Sequence, residues 1–357
     1  MQICEIRISD ITDGMIVAKD VYTDTNELVL THNTVLNRDI VKRLKQYGIY
    51  RIAVYDEVEV SKSEQQPSRE EKVRKSKEFV RFKKNFDNTV AGLKGTFARI
   101  LESSDIDGVA QLTKQVDTIM QKADGSYHVF DMLNCMREYD DVTFAHSISV
   151  SILCNLIGEW LKLPNSDIYS LTMSGILHDI GKMQIPNEII SKPGKLTEEE
   201  FHIVQQHPKL GYQILSKLDL DEHVKYAALM HHERCDGKGY PMQIGKNKID
   251  YFSKIVMLAD VYDAMTADRS YRKGMCPFKA LDIMLEDGFE KYDPAVLMLF
   301  VEKTVQSYIG ATVLLSDDRA GEIVAVNREA WTRPLIRIKN EFVDLYRDKS
   351  IKIAKIV

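Results

Sequence analysis

The sequence predicts a mainly α-helical domain, preceded by a small α+β module and followed by a small β-rich one. Apolar residues recur at three- to four-residue spacing through most of 127–309, short β-rich runs fill the first 55 residues, and strand-like runs return after Gly310. At 357 residues the chain is too long for one ordinary core, so a main domain with small companions suits its length.

Taken in order, residues 1–60 form the α+β module. Turn signals at Asp13-Gly14 and Thr23-Asp24-Thr25-Asn26 break its β-rich runs, and an amphipathic segment over 38–47 stops at Gly48. The polar stretch 61–71, with Pro67 inside it, reads as a linker. Val73, Phe79, Phe82, Phe86, Val90, Leu93, Phe97 and Ile100 then mark one long amphipathic helix within the segment 61–125. Such a stripe ordinarily packs on the chain's own core. A homodimer through 70–101 is the alternative, and periodicity does not separate the two.

Residues 126–309 are expected to hold helices over 127–139, 143–162, 167–182, 197–218, 222–233, 250–267, 277–288 and 294–308. Thr197 with Glu200 makes a capping box, Pro277 and Pro294 sit near helix starts, and Gly288 follows an end. In the last module, 310–357, strands are expected over 312–315, 322–326, 335–338 and 351–353, as a small β-barrel or β-rich appendage.

Composition excludes several functions. With 44% hydrophobic and 28% charged residues and a net charge of -5, the chain reads as a globular protein with no bulk affinity for DNA or RNA. Its five cysteines are scattered and never spaced C-x-x-C, which argues against a disulfide framework or a thiolate zinc site and suits a reducing cytoplasm. No apolar run approaches the roughly 20 residues a membrane-spanning helix needs.

The helical region carries His146, the pair His178-Asp179, His207, the pair His231-His232, and Asp260, separated by 24 to 32 residues, roughly one helix and its connection. On an antiparallel bundle, residues at such intervals can point into one cavity. Imidazole and carboxylate donors without thiolate suit iron, manganese, zinc, nickel or cobalt. Spacing alone leaves another reading open, because a histidine in an apolar stretch such as His146-Ser147-Ile148-Ser149-Val150 is ordinarily a hydrogen-bonded core residue. No local metal signature such as H-E-x-x-H is present.

Longer strings decide between these readings. His178-Asp179-Ile180-Gly181-Lys182 and, further on, His231-His232-Glu233-Arg234-Cys235-Asp236-Gly237-Lys238-Gly239-Tyr240-Pro241 resemble the paired signature of the HD-GYP family. The resemblance extends to His207-Pro208-Lys209-Leu210-Gly211 and to Ala259-Asp260-Val261-Tyr262-Asp263-Ala264-Met265-Thr266. It implies an HD-type helical bundle core and a phosphodiesterase that hydrolyses cyclic di-GMP to pGpG, and on to GMP, through a hydroxide activated by two divalent metals. Iron or manganese is favoured, with nickel, cobalt or zinc as alternatives. Other nucleotides such as cyclic GMP-AMP, or a sensor that binds without turnover, remain alternatives to that activity.

The resemblance assigns His146, His178, Asp179 and Asp260 to one ion and Asp179, His207, His231 and His232 to the other, with Asp179 bridging, as only a carboxylate can. Lys182 is expected beside the attacked phosphate or the bridging ligand, on the face of His178 if the helix continues, with Asp179 and Lys182 as the catalytic pair. Arg269 and Arg272 resemble the basic positions that meet a cyclic dinucleotide's second phosphate. Tyr240 is expected at the cavity mouth, in a loop that is alternatively a protein contact surface. Some family members hold a third metal with a Glu one turn before the first His. Here that position is Val142, so two ions are expected, and a third would need Asp140 or Asp141.

Overall fold

The computed structural model describes residues 3–12, 14–23, 28–55, 69–121, 126–136, 142–192, 194–267, 273–339 and 341–357. The expected turn at 24–26, most of the linker 61–71, Asp140, Asp141, Arg269 and Arg272 lie outside them. The chain divides into two compact units, 1–72 with 301–357 and 73–300.

The first unit joins the two ends of the chain. Strand β1 (Ile3–Arg7) pairs antiparallel with β4 (Arg51–Tyr55), β2 (Val21–Tyr22) pairs with β3 (Leu28–Leu30), and helix α1 (Arg38–Gln46) lies between β3 and β4 in sequence. Asn37 caps α1 by accepting the Ile40 amide. The C-terminal part is an antiparallel sheet of five strands, β5 (Thr312–Leu315), β6 (Ala320–Ala325), β7 (Leu335–Ile338), β8 (Glu341–Asp344) and β9 (Ile353–Ile356), in the order β8-β7-β6-β5-β9. Strand β8 was not expected, and the last strand runs later than 351–353.

Val324, Ala325 and Leu335 of this sheet lie in one buried cluster with Val17, Leu30, Leu36, Ile40, Leu44 and Val54 from the N-terminal part. Polar ties cross the same junction. Arg43 donates to Asp344 at 2.9 Å, Thr31 to Glu322 at 3.2 Å, and Arg337 to the Asn33 carbonyl. The two terminal modules therefore share one core, each covering apolar surface that a piece of its size cannot bury alone.

The second unit is helical among its described residues. It contains α2 (Arg69–Lys75) in part, α3 (Lys77–Ser103), α4 (Asp107–Gln121), α5 (Ser126–Cys135), α6 (Val142–Trp160), α7 (Asn165–Leu177), α8 (Asn187–Ile190), α9 (Glu198–Val204), α10 (His207–Leu215), α11 (Glu222–Met230), α12 (Tyr251–Thr266), α13 (Pro277–Glu286), α14 (Gly288–Lys291) and the first half of α15 (Pro294–Ser307). The stripe expected as one helix from residue 70 is two, broken at Ser76, whose hydroxyl accepts the Phe79 amide and caps α3. Its apolar residues Phe79, Phe82, Phe86, Leu93, Phe97 and Ile100 are buried, and α3 packs on α4, α5 and α6 of its own chain. The stripe is thus used internally. Helix α4 went unrecognised in the sequence. Between these helices, Phe130 stacks on Trp160 at 5.8 Å and meets Phe300 and Tyr262 edge-on or tilted at 6.1–6.2 Å, tying α5, α6, α12 and α15 together.

Two expected helices are interrupted, both at the chemistry-bearing residues. The helix expected over 167–182 stops at Leu177, and a 3-10 turn over Ile180–Gln184 follows. The cause is packing: a Cβ on Gly181 would stand 1.9 Å from the His207 carbonyl oxygen and 2.5 Å from the Gly211 amide nitrogen, so only glycine allows this turn to lie on α10. The helix expected over 197–218 is also two. Pro208 has no N–H to give to the Val204 carbonyl, so the ladder breaks there and α10 begins with Pro208 in its first turn. Thr197 and Glu200 do form the capping box of α9.

Candidate metal centre

Each interruption delivers a side chain. The Val204 carbonyl left by Pro208 accepts the Nδ1 proton of His207 at 2.7 Å. At the end of α7, His178 Nδ1 donates to the Gly175 carbonyl at 2.8 Å, and at the end of α11 His231 Nδ1 donates to Ala227 and Ala228 at 3.0 and 3.1 Å. Each bond fixes the tautomer with the proton on Nδ1 and turns an Nε2 lone pair toward Asp179. His146 is fixed differently, by the Asp263 carboxylate 2.6 Å from its Nδ1.

The donor atoms gather in two groups that share one residue. Asp179, His207, His231 and His232 form one and His146, His178 and Asp179 the other, with all donor atoms of a group within 4.8 Å of one another. Asp179 Oδ1 lies 3.3 Å from His207 Nε2 and 3.7 Å from His231 Nε2, whereas Oδ2 lies 3.3 Å from His178 Nε2 and 3.9 Å from His146 Nε2. One carboxylate thus turns one oxygen to each group. Asp260 stands beside both, 3.0 Å from His146 Nε2 and 3.9 Å from His232 Nδ1. Two atoms bound to one ion at about 2.1 Å stand roughly 3.0–3.4 Å apart, close to these separations.

The residues fit metal ions on independent grounds. His178 Nε2 and Asp179 Oδ1 are buried with no hydrogen-bond partner among the described residues, which costs free energy unless a cation meets them. His207 Nε2 and His231 Nε2 face each other at 3.2 Å with both ring protons committed elsewhere, so two lone pairs oppose each other across a gap that a cation would stabilise.

Electrostatics sorts the group further. Burial pushes His207 down to about 3, against the pull of Asp179. Burial and the neighbouring His231 hold His232 well below its usual range. These imidazoles are neutral at pH 7 with lone pairs ready. For Asp179 burial is overcome, chiefly by the neighbouring Lys182 ammonium, and the carboxyl is held well below the usual carboxylate range. Lys182 Nζ sits 2.5 Å from Asp179 Oδ2, reaching it by an i,i+3 step in the 3-10 turn rather than along a continued helix.

His146 is the exception. Burial alone would lower its pKa, but hydrogen bonds to Asp260 and Asp263 win and raise it to about 10. In the metal-free protein this histidine carries a proton between two carboxylates, and the resulting stabilisation is complete below pH 6.5 and lost as pH rises toward 10. Metal uptake between pH 7 and 9 is therefore expected to release about one proton from His146 and none from His207. Calorimetry of manganese binding in buffers of different ionisation enthalpy measures that number, and zero released protons would refute it.

Sequence reasoning missed Asp263. Its signal was present, since Asp260 and Asp263 are three apart and so share a face of α12. Partners of this kind orient a ligand and raise its basicity. Asp263→Ala is expected to weaken manganese binding at the His146 group about 10–100-fold, read by titrating the metal-depleted protein. An unchanged affinity would remove that role. Tyr240 lies with its ring on His232, the centroids 4.7 Å apart. No helix among the described residues is long and apolar enough to cross a membrane.

Comparison with known proteins places this geometry. The HD-domain family profile matches residues 130–296. The chain is 34% identical over 204 residues to a cyclic di-GMP phosphodiesterase of Pseudomonas aeruginosa, covering 57% of this chain and 49% of that protein. It is 40% identical over 152 residues to a 3'3'-cGAMP-specific phosphodiesterase of Vibrio cholerae, covering 43% of this chain and 33% of the relative. The chain thus spans about half or less of the length of these relatives. An HD-G"Y"P protein of Bdellovibrio bacteriovorus shares the fold, with a TM-score of 0.50 at 16% identity over 84% of this chain and 98% of that one. Residues 130–296 thus match the HD-domain profile, and the strings His178-Asp179 and Gly239-Tyr240-Pro241 within them resemble the HD-GYP signature.

Proposed function

We propose that this chain is a metal-dependent phosphodiesterase that opens cyclic di-GMP to linear pGpG and cleaves that further to GMP, in a bacterial cytoplasm. The observation that carries the reading is the Asp179 carboxylate, buried and ionised, with one oxygen toward each of two histidine groups. Divalent ions held by His146, His178, Asp179 and Asp260 and by Asp179, His207, His231 and His232 would activate water and offset phosphate charge in phosphodiester hydrolysis. Two ions are proposed, iron or manganese before nickel, cobalt or zinc, since the donors are imidazole and carboxylate.

The chain's own residues do the rest. His207 and His232 stay neutral through burial and so keep their lone pairs across the working pH range. Lys182, a quarter exposed, holds an ammonium against the buried Asp179 carboxylate, where it would meet phosphate charge. The ring of Tyr240 bounds the cavity beside His232, where a nucleobase or ribose would lie. Arg269 and Arg272 are retained as partners for the second phosphate.

The substrate class rests on the relatives, among which are cyclic di-GMP phosphodiesterases and 3'3'-cGAMP-specific phosphodiesterases. The second group supports cyclic GMP-AMP as a second reading. Protein loaded with iron(II) or manganese(II) without oxygen and incubated with each dinucleotide is expected to yield pGpG and GMP from cyclic di-GMP, seen by chromatography. Faster loss of cyclic GMP-AMP would favour the second reading. Bound dinucleotide with both ions present and no product would replace the enzyme by a sensor.

A further inference from the structure

The five histidines are not held alike. His178, His207 and His231 give their Nδ1 protons to backbone carbonyls, and His146 has Asp263. His232 makes no hydrogen bond through its ring among the described residues, and its Nδ1 stands 3.9 Å from Asp260. It is also the most exposed of the five, with 24% of its side chain accessible against 8% or less for the others. A ligand without a partner and open to the cavity needs another restraint to stay aimed.

Besides the fellow ligands His231 and His207, whose rings approach tilted at 4.1 Å and edge-on at 5.0 Å, the ring that stacks on His232 among the described residues is Tyr240, at 4.7 Å between centroids and 26° between planes. Tyr240 is itself fixed, its amide donating to the His232 carbonyl at 3.1 Å. The loop that carries it is tied to the residue after the ligand pair. Glu233 is fully buried, and its two carboxylate oxygens accept the amides of Met242 at 2.6 Å and Ile244 at 3.1 Å. Gly239 completes the closure, because a Cβ there would stand 2.4 Å from the Glu233 Cα and 2.5 Å from the Arg234 amide nitrogen. Arg234 and Asp236 pair at 2.5 Å and a bridge from Asp236 to Gly245 closes the loop base. A buried carboxylate that spends both oxygens on loop amides is strong, charge-assisted anchoring.

We infer that Glu233 and Tyr240 act as positioning residues that clamp the ring of His232, so that the loop 233–245 sets the affinity of one ion and leaves the other to Asp263. The inference rests on the two-ion reading. It makes the loop a determinant of metal loading in the Asp179, His207, His231 and His232 group, beyond any contact with substrate.

The test titrates the metal-depleted full-length chain with manganese(II), counting ions and following the spin-coupled signal of a manganese pair. Wild-type protein and Tyr240→Phe, which keeps the ring, are expected to bind two ions and show the pair signal. Tyr240→Ala and Glu233→Gln, in which an amide NH2 would face a loop N–H, are expected to keep one ion at wild-type affinity and hold the second about 10–100-fold more weakly. Circular dichroism checks that each variant is folded, and Tyr240→Ala decides alone if Glu233→Gln is not. Wild-type affinity for both ions in Tyr240→Ala, equal loss of both, or loss in Tyr240→Phe would overturn the clamp. A wild-type chain that binds no manganese would overturn the two-ion reading itself.

Discussion

Asp179→Ala is expected to lose both ions and to reduce phosphodiester hydrolysis by about 10³-fold or more, since several kcal/mol of transition-state stabilisation by metals goes with them. The reason is geometric. Oδ1 faces His207 and His231, Oδ2 faces His178 and His146, and no other described residue stands in both groups. Removing it leaves His207, His231 and His232 with no carboxylate of their own group and His146 and His178 with Asp260 alone. The fold should survive, because the lost carboxylate is itself buried at a cost that only its partners offset. Elemental analysis and product chromatography on the folded variant check both halves, and retained turnover would show that the bridge is misassigned.

Gly181→Ala has the second large effect, and it acts on the backbone. Its Cβ would lie 1.9 Å from the His207 carbonyl oxygen, against main chain that cannot swing aside as a side chain can. Either α10 moves off the 3-10 turn, carrying His207 with it, or that turn unwinds and Lys182 leaves Asp179. Overpacking against backbone is expected to cost about 3 kcal/mol or more, seen as a lower thermal midpoint of the full chain, together with weaker metal binding. A variant with wild-type stability and metal content would contradict the packing account.

Much of this site was legible in the sequence because its parts are local strings. His178-Asp179 and His231-His232 are adjacent pairs, and the spacing of 24 to 32 residues matches one helix and its return. What was not legible depends on contacts between segments. The break before His207 follows from Pro208, which was visible, but the use of the freed Val204 carbonyl by the histidine ring was not. The Asp263 and Glu233 partnerships join a carboxylate to groups on other turns or helices, and periodicity says nothing of such partners. The union of the two ends of the chain was hidden for the same reason: Arg43 and Asp344 meet across some 300 residues. Lys182 was expected to reach the site along a helix and reaches it through a tighter turn, because Gly181 packs on α10.

The most direct test counts metal ions per chain in protein purified without oxygen, by elemental analysis. Two donor groups sharing Asp179 predict two ions per chain, iron or manganese foremost. A single ion at saturation, or none, would contradict the shared carboxylate and with it the proposed phosphodiesterase.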